Sequence, residues 1–183
     1  MAIIRARCPE RESEIVVALH SGMRRSEQFR THAVPDGGLK WEHINLKSGV
    51  LRLPRSKSGK PRAIPINSLL RKTLLGIRRT TSLYVFEATD PNKWFVKACE
   101  LAGVKDFTWH DLRHTFASRL VMAGVPIRTV AELLGHSEIT TTMRHAHLAP
   151  DHLAAAVETL TVSTVQTDTA TDTGNLRVSE KAG

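Results

Sequence analysis

A chain of 183 residues is long enough for one domain with a real core, and a hydrophobic content of 41% excludes a wholly disordered chain. Two basic residues (Arg177, Lys181) and five acidic ones (Asp151, Glu158, Asp168, Asp172, Glu180) fall from Pro150 onward, so of the net +8, residues 1–149 carry 24 basic against 13 acidic, or +11. That excess favours a polyanionic partner, nucleic acid by default, while two cysteines, no apolar run of membrane-spanning length and a short charged start exclude a disulfide framework, a membrane helix and a secretory signal.

In chain order, the spacing of Ile15, Val16, Ala18 and Leu19 predicts a helix over about Glu12 to Ser21, ended by Gly22. A short helix carrying Arg24, Arg25, Glu27 and Phe29 follows, then a loop from Thr31 to Gly38. Three strands are expected over about Leu39 to Ile44, Val50 to Leu53 and Ala63 to Ile66. Helical spacing then predicts helices over Asn67 to Ile77, Pro91 to Ala102, His110 to Ala123 and Pro126 to Leu134, the last with proline at its first position and Gly135 beyond its end. Ser137 is expected to cap a weak helix through Arg144, and a last helix is expected from Pro150 to Leu160. Residues 161–183, rich in Thr, Ser and Asp, read as a disordered tail behind one domain of residues 1–160. Trp41, Trp94 and Trp109 are expected to anchor the core.

Thr108-Trp109-His110-Asp111-Leu112-Arg113-His114 is the most informative helix start. Thr108 and Asp111 stand at capping-box spacing, which puts His110 and Arg113 in the first turn on one side. Free backbone N–H groups there favour a phosphate, Arg113 offers a forked guanidinium, and His110 offers a proton near neutral pH. On its own the segment equally fits an ordinary capped helix with a surface arginine.

Four blocks together resemble the tyrosine recombinase (phage integrase) catalytic domain: Ser21-Gly22-Met23-Arg24-Arg25-Ser26-Glu27, the hairpin Arg55-Ser56-Lys57-Ser58-Gly59-Lys60-Pro61-Arg62, His110-Asp111-Leu112-Arg113-His114-Thr115-Phe116-Ala117, and Leu133-Leu134-Gly135-His136. They follow the family's order and span about Ile15 to Val157. The resemblance implies a mainly helical fold with a small antiparallel three-stranded sheet, and DNA recombination and integration on double-stranded DNA. It implies Arg24 and Arg113 as phosphate clamps, Lys57 as general acid for the 5′ oxygen with Lys60 a near competitor, and His110 as general acid/base. It further implies His136 as a donor to the phosphate and Glu27 as the carboxylate behind Arg24. Arg25 and Arg144, with Lys60, are expected to touch DNA, Arg25 having a surface salt bridge as its other reading. The chemistry needs no metal and no small-molecule cofactor, and the expected setting is cytoplasmic, without membrane attachment.

One position departs from the pattern. Met143-Arg144-His145-Ala146-His147-Leu148 aligns His145 with the family's attacking tyrosine, and the only tyrosine, Tyr84, matches nothing catalytic. The resemblance then implies a chain whose strand transfer is lost or impaired. The other readings are an imidazole nucleophile, whose phosphoramidate would be labile, and a recent single-base change. The chain opens just before the arginine-box helix, so the DNA-clamping N-terminal domain is expected to be absent. Residues 30–38 look like extra sequence, which together suggests a truncated gene product whose partner on DNA is a second copy or a full-length recombinase. Two rivals remain: a helix-turn-helix regulator built on Val130 to Thr142, and a metal hydrolase using His110 and His114, i and i+4 on a helix.

Overall fold

The computed structural model of the chain describes residues 8–54, 61–78, 81–87 and 90–149. After a 3-10 turn at Pro9–Arg11, helix α1 (Glu12–Ser21) runs through the middle of the core, with Ile15, Val16, Val17 and Ala18 all buried. It packs on α3 (Ser68–Ile77) on one side and α5 (Trp109–Met122) on another. Leu70 and Leu74 of α3 are fully enclosed, each stabilising the fold by about 1.5–3 kcal/mol through burial. Asn67 starts α3 by accepting the Leu70 N–H at 2.9 Å, as expected of an N-cap amide.

The sheet is antiparallel in the order β1 (Ile44–Asn45), β2 (Val50–Leu53), β3 (Arg62–Pro65). Leu51 faces Ile64 and Leu53 faces Arg62, so these four side chains share the inner face. The expected first strand, Leu39 to Ile44, is mostly something else. Trp41–His43 is a 3-10 turn closed by His43 Nδ1, which accepts the Lys40 N–H at 3.3 Å. The chain before it pairs with residues 83–85 instead, Trp41 N–H to Leu83 O at 3.1 Å and Val85 N–H to Leu39 O at 2.8 Å.

Helix α2 (Arg25–Gln28) is a single turn, and the loop after it folds back on it: Gly38 N–H donates to Ser26 O at 3.0 Å and Leu39 N–H to Gln28 O at 3.2 Å. Phe29 then stacks edge-on against Trp109 at 5.2 Å, and Phe95 of α4 (Asn92–Leu101) does the same at 5.0 Å. This aromatic cluster seats the start of α5 between α2 and α4, with Trp94 joining it at 5.9 Å from Trp109. Trp41 and Trp94 pack on the same core.

A second apolar cluster, Phe116, Ala117, Val121, Val130 and Leu134, joins α5 to α6 (Ile127–Leu134). Pro126 is the residue before α6 rather than its first, and Gly135 closes the helix at φ 67°. The expected cap at Ser137 is not formed: α7 (Thr140–Met143) starts after Ile139, which leaves Ser137 too far upstream to reach its first N–H groups. The chain then turns through Ala146–Leu148. The expected helix 150–160, the tail 161–183, Lys57 and Lys60 all lie outside the described residues.

Gly22 ends α1 at φ 60°, and a Cβ there would stand 2.5 Å from Phe116 Cδ1. Gly22→Ala therefore combines left-handed strain with a clash against the second cluster, and should cost about 2–4 kcal/mol, read as a lower urea midpoint.

Candidate active site

Two guanidinium groups meet the end of α6. Arg62 donates Nε–H to Leu133 O at 3.0 Å, and Arg113 donates Nη2–H to Leu134 O at 2.6 Å. The last carbonyls of a helix lack intrahelical partners and carry its negative dipole end, so cations are favoured there. Gly135 lets the approach happen, since a Cβ there would lie 2.8 Å from Arg62 Cδ. Arg113 also donates Nη1–H to Gly22 O at 2.6 Å, which ties the end of α1 to the end of α6.

Glu27 is the hub on the other side. Arg62 forks its carboxylate with bonds of 2.9 and 2.8 Å, both side chains being almost fully buried. The Arg24 N–H donates to Glu27 Oε2 at 2.7 Å and Arg24 Nη1 to Oε1 at 3.2 Å. Burial pushes the Glu27 carboxyl up, but the bonds and charge of Arg62, with those of Arg24, hold it below the usual carboxylate range. Arg113 is 4% exposed, and burial, with the Arg24 charge, brings its pKa down to about 9, so it stays charged at neutral pH. Two guanidinium groups thus bind one carboxylate, whose charge also acts on Arg113.

At the start of α5, Asp111 accepts the Thr108 N–H and hydroxyl at 2.7 Å each, fixing the first turn as its spacing predicts. His110 projects there in an exposed position, its ring 4.7 Å from His114 one turn on. The His114 ring is in turn 5.5 Å from His145, which is 6% exposed and has Nδ1 3.1 Å from Ser118 Oγ. His136 Nδ1 lies 2.7 Å from the hydroxyl of fully buried Thr142. Burial first, then Arg113, Arg24, Arg144 and Arg62, bring the His136 pKa down to about 4.

His110, Arg113, His114, His136, Arg144 and His145 line one cavity of about 40 Å³, together with Ala117, Leu134 and Thr141. Among the described residues no carboxylate lines it. Arg24 and Arg25 line an adjoining groove of about 670 Å³ that shares His110. Arg25 is 3.9 Å from Asp90 in an exposed pair, and Arg144 donates Nε–H to Thr141 O at 3.0 Å.

Sequence reasoning did not assign Arg62, Ser118 or Thr142. A signal existed for Arg62: with Ile64 and Ile66 it makes a period-two set whose other members are buried. His110, His114 and Ser118 recur every four residues on α5, a signal for Ser118. Thr142 gave none.

The rival readings find no geometry here. The helix meant to enter a DNA groove, α7, is one turn long with its Thr142 buried. Among the described residues no group of three or more His, Cys, Asp or Glu side chains could hold a metal ion.

Residues 4–152 match the model of the phage integrase family. The chain belongs to that family. The tyrosine recombinase XerA of Pyrococcus furiosus is 36% identical over 163 aligned residues, covering 81% of this chain and 54% of the relative. The catalytic domain of bacteriophage HP1 integrase superposes with a TM-score of 0.68 at 30% identity, covering 89% of this chain and 90% of that one. The Tn1549 transposon integrase, solved in complex with circular intermediate DNA, shares the fold at a TM-score of 0.70 and 22% identity, over 87% of this chain and 63% of its own. The chain spans about half the length of the curated relatives it matches. Its helices and three-stranded antiparallel sheet are the integrase catalytic-domain fold.

Two predictions follow from this geometry. Arg62→Ala strands the Glu27 carboxylate in a buried place and should cost about 3–5 kcal/mol in urea unfolding, with Glu27→Gln added to it recovering part of the loss. The unfolded chain binds a proton on His136 near pH 6.5, but the folded chain only near 4. Stability from this group is therefore whole above about pH 6.5 and drains away as the pH falls towards 4. His136→Gln should lose less Tm between pH 7 and pH 5 than the native chain, by differential scanning fluorimetry.

Proposed function

We propose that this chain is the DNA-binding catalytic portion of a site-specific tyrosine recombinase, acting in DNA recombination and integration, with strand transfer impaired by histidine at the attacking position. The observation that carries the reading is the cavity between α5, α6 and α7, walled by Arg113, Arg144 and four imidazoles, with no acidic side chain among the described residues that line it. A phosphodiester brought there meets charge-assisted donors already fixed by the fold, which is how a phosphoryl-transfer transition state is stabilised without a metal. In this reading Arg113 and Arg24 hold the non-bridging oxygens and His136 donates a further hydrogen bond through Nε2, its Nδ1 being engaged with Thr142. Glu27 sets Arg24, and His110 and Lys57 handle the proton of the departing 5′ oxygen. Arg25, Lys60 and Arg144 contact neighbouring phosphates.

The partner is double-stranded DNA, joined by a second copy or a full-length recombinase. No helix among the described residues is long and apolar enough to cross a membrane, and the cytoplasm is the compartment we assign.

Two measurements test this. Binding to duplex DNA from the flanks of the chain's own gene, followed by fluorescence anisotropy, should weaken with salt at a slope of about −3.5 to −5.5, as four to six neutralised phosphates give. On nicked duplex of that sequence, His145→Tyr should form a covalent protein–DNA adduct on a denaturing gel where the native chain forms none. Adding Arg24→Ala should lower the adduct yield about 10²-fold. Salt-insensitive binding together with no adduct from His145→Tyr would overturn the reading.

A further inference from the structure

His145 is held as a working group is held. His145 is almost fully enclosed, its Nδ1 is engaged by Ser118 Oγ, and it lines the cavity shared with Arg113 and His136. With the ring proton on Nδ1 and donated to Ser118 Oγ, Nε2 keeps a lone pair that can take a proton. The void of about 40 Å³ has room for a water beside the ring. Its polar lining gives that water several partners.

We propose that this chain is a metal-independent DNA phosphodiesterase in which water takes the place of the missing tyrosine and His145 is its general base. The inference rests on the phosphate-binding reading given above. The water oxygen bonds to the scissile phosphorus as one of its protons passes to His145 Nε2. The bond from phosphorus to the 5′ oxygen breaks, and that oxygen takes a proton from solvent. His145 then releases its proton to solvent. The products are a 3′-phosphate and a 5′-hydroxyl, with no covalent protein–DNA intermediate to carry the energy needed for rejoining. Burial, with the charges of His114 and Arg144, keeps the His145 imidazole below its ordinary pKa and so unprotonated at neutral pH, the form a base requires.

Thymidine 3′-(4-nitrophenyl phosphate) isolates the attack step, because nitrophenolate stands for the 5′ oxygen and leaves without an acid. The full chain in EDTA should release many equivalents of nitrophenolate per protein and leave thymidine 3′-phosphate, with one ¹⁸O when run in H₂¹⁸O. His145→Ala and His145→Gln should each be about tenfold slower or worse, Gln serving where Ala disturbs the fold. A single equivalent released, with a thymidine phosphate mass left on the protein, would make His145 the nucleophile and overturn the proposal. No release above buffer, with salt-dependent DNA binding intact, would overturn hydrolysis and leave the DNA reading standing. Loss of that binding as well would remove both.

Discussion

A guanidinium taken out of water must find a partner for its N–H groups, and in this chain the partners are backbone carbonyls at the ends of two helices. Arg113 bonds Gly22 O and Leu134 O, so its position follows from where α1 and α6 stop. Both helices stop at glycines with positive φ. The glycines therefore do more than end helices. They let a phenyl ring, in one case, and an arginine stem, in the other, lie against bare backbone. The chemistry of the site is downstream of that constraint: an arginine fixed at two points presents its remaining donors in one direction only.

The second constraint is charge. Glu27 accepts from both Arg24 and Arg62, close to buried Arg113. Clustered like charges destabilise a fold unless an opposite charge joins them, and Glu27 supplies one such charge. The pKa values of Arg113 and His136 are lowered first by burial and then by the neighbouring cations. In the proposed reading a phosphate adds the negative charge this cluster calls for, and stability given up in the free chain is regained on binding.

Most of the architecture could be read from the sequence, because it rests on periodicity and punctuation. Ile15 to Leu19 with Gly22 marked α1 to the residue, and Thr108 with Asp111 marked the start of α5. The first strand misled because alternation through Trp41 and His43 looks extended, while a histidine side chain that caps its own turn leaves no pattern. Arg62 was overlooked for the reverse reason. It sat in a hairpin read for its lysines, although its strand alternation placed it inward among Ile64 and Ile66. What no spacing could give is the pairing of Ser118 with His145 or of His136 with Thr142. These depend on how α7 returns across α5, a tertiary fact with no local signature.

That return has a consequence of its own. His145 follows a helix of one turn, Thr140–Met143, made of three threonines and a methionine and begun without a side-chain cap. Such a turn has almost no stability by itself, and buried Thr142, the His136 bond and the Ser118 bond are what hold it. A segment held at so few points opens without the rest of the domain unfolding. Its amides should exchange with solvent hydrogen long before those of α1. Local opening of that segment would carry His145 from the cavity into water, leaving α1 and the main core in place.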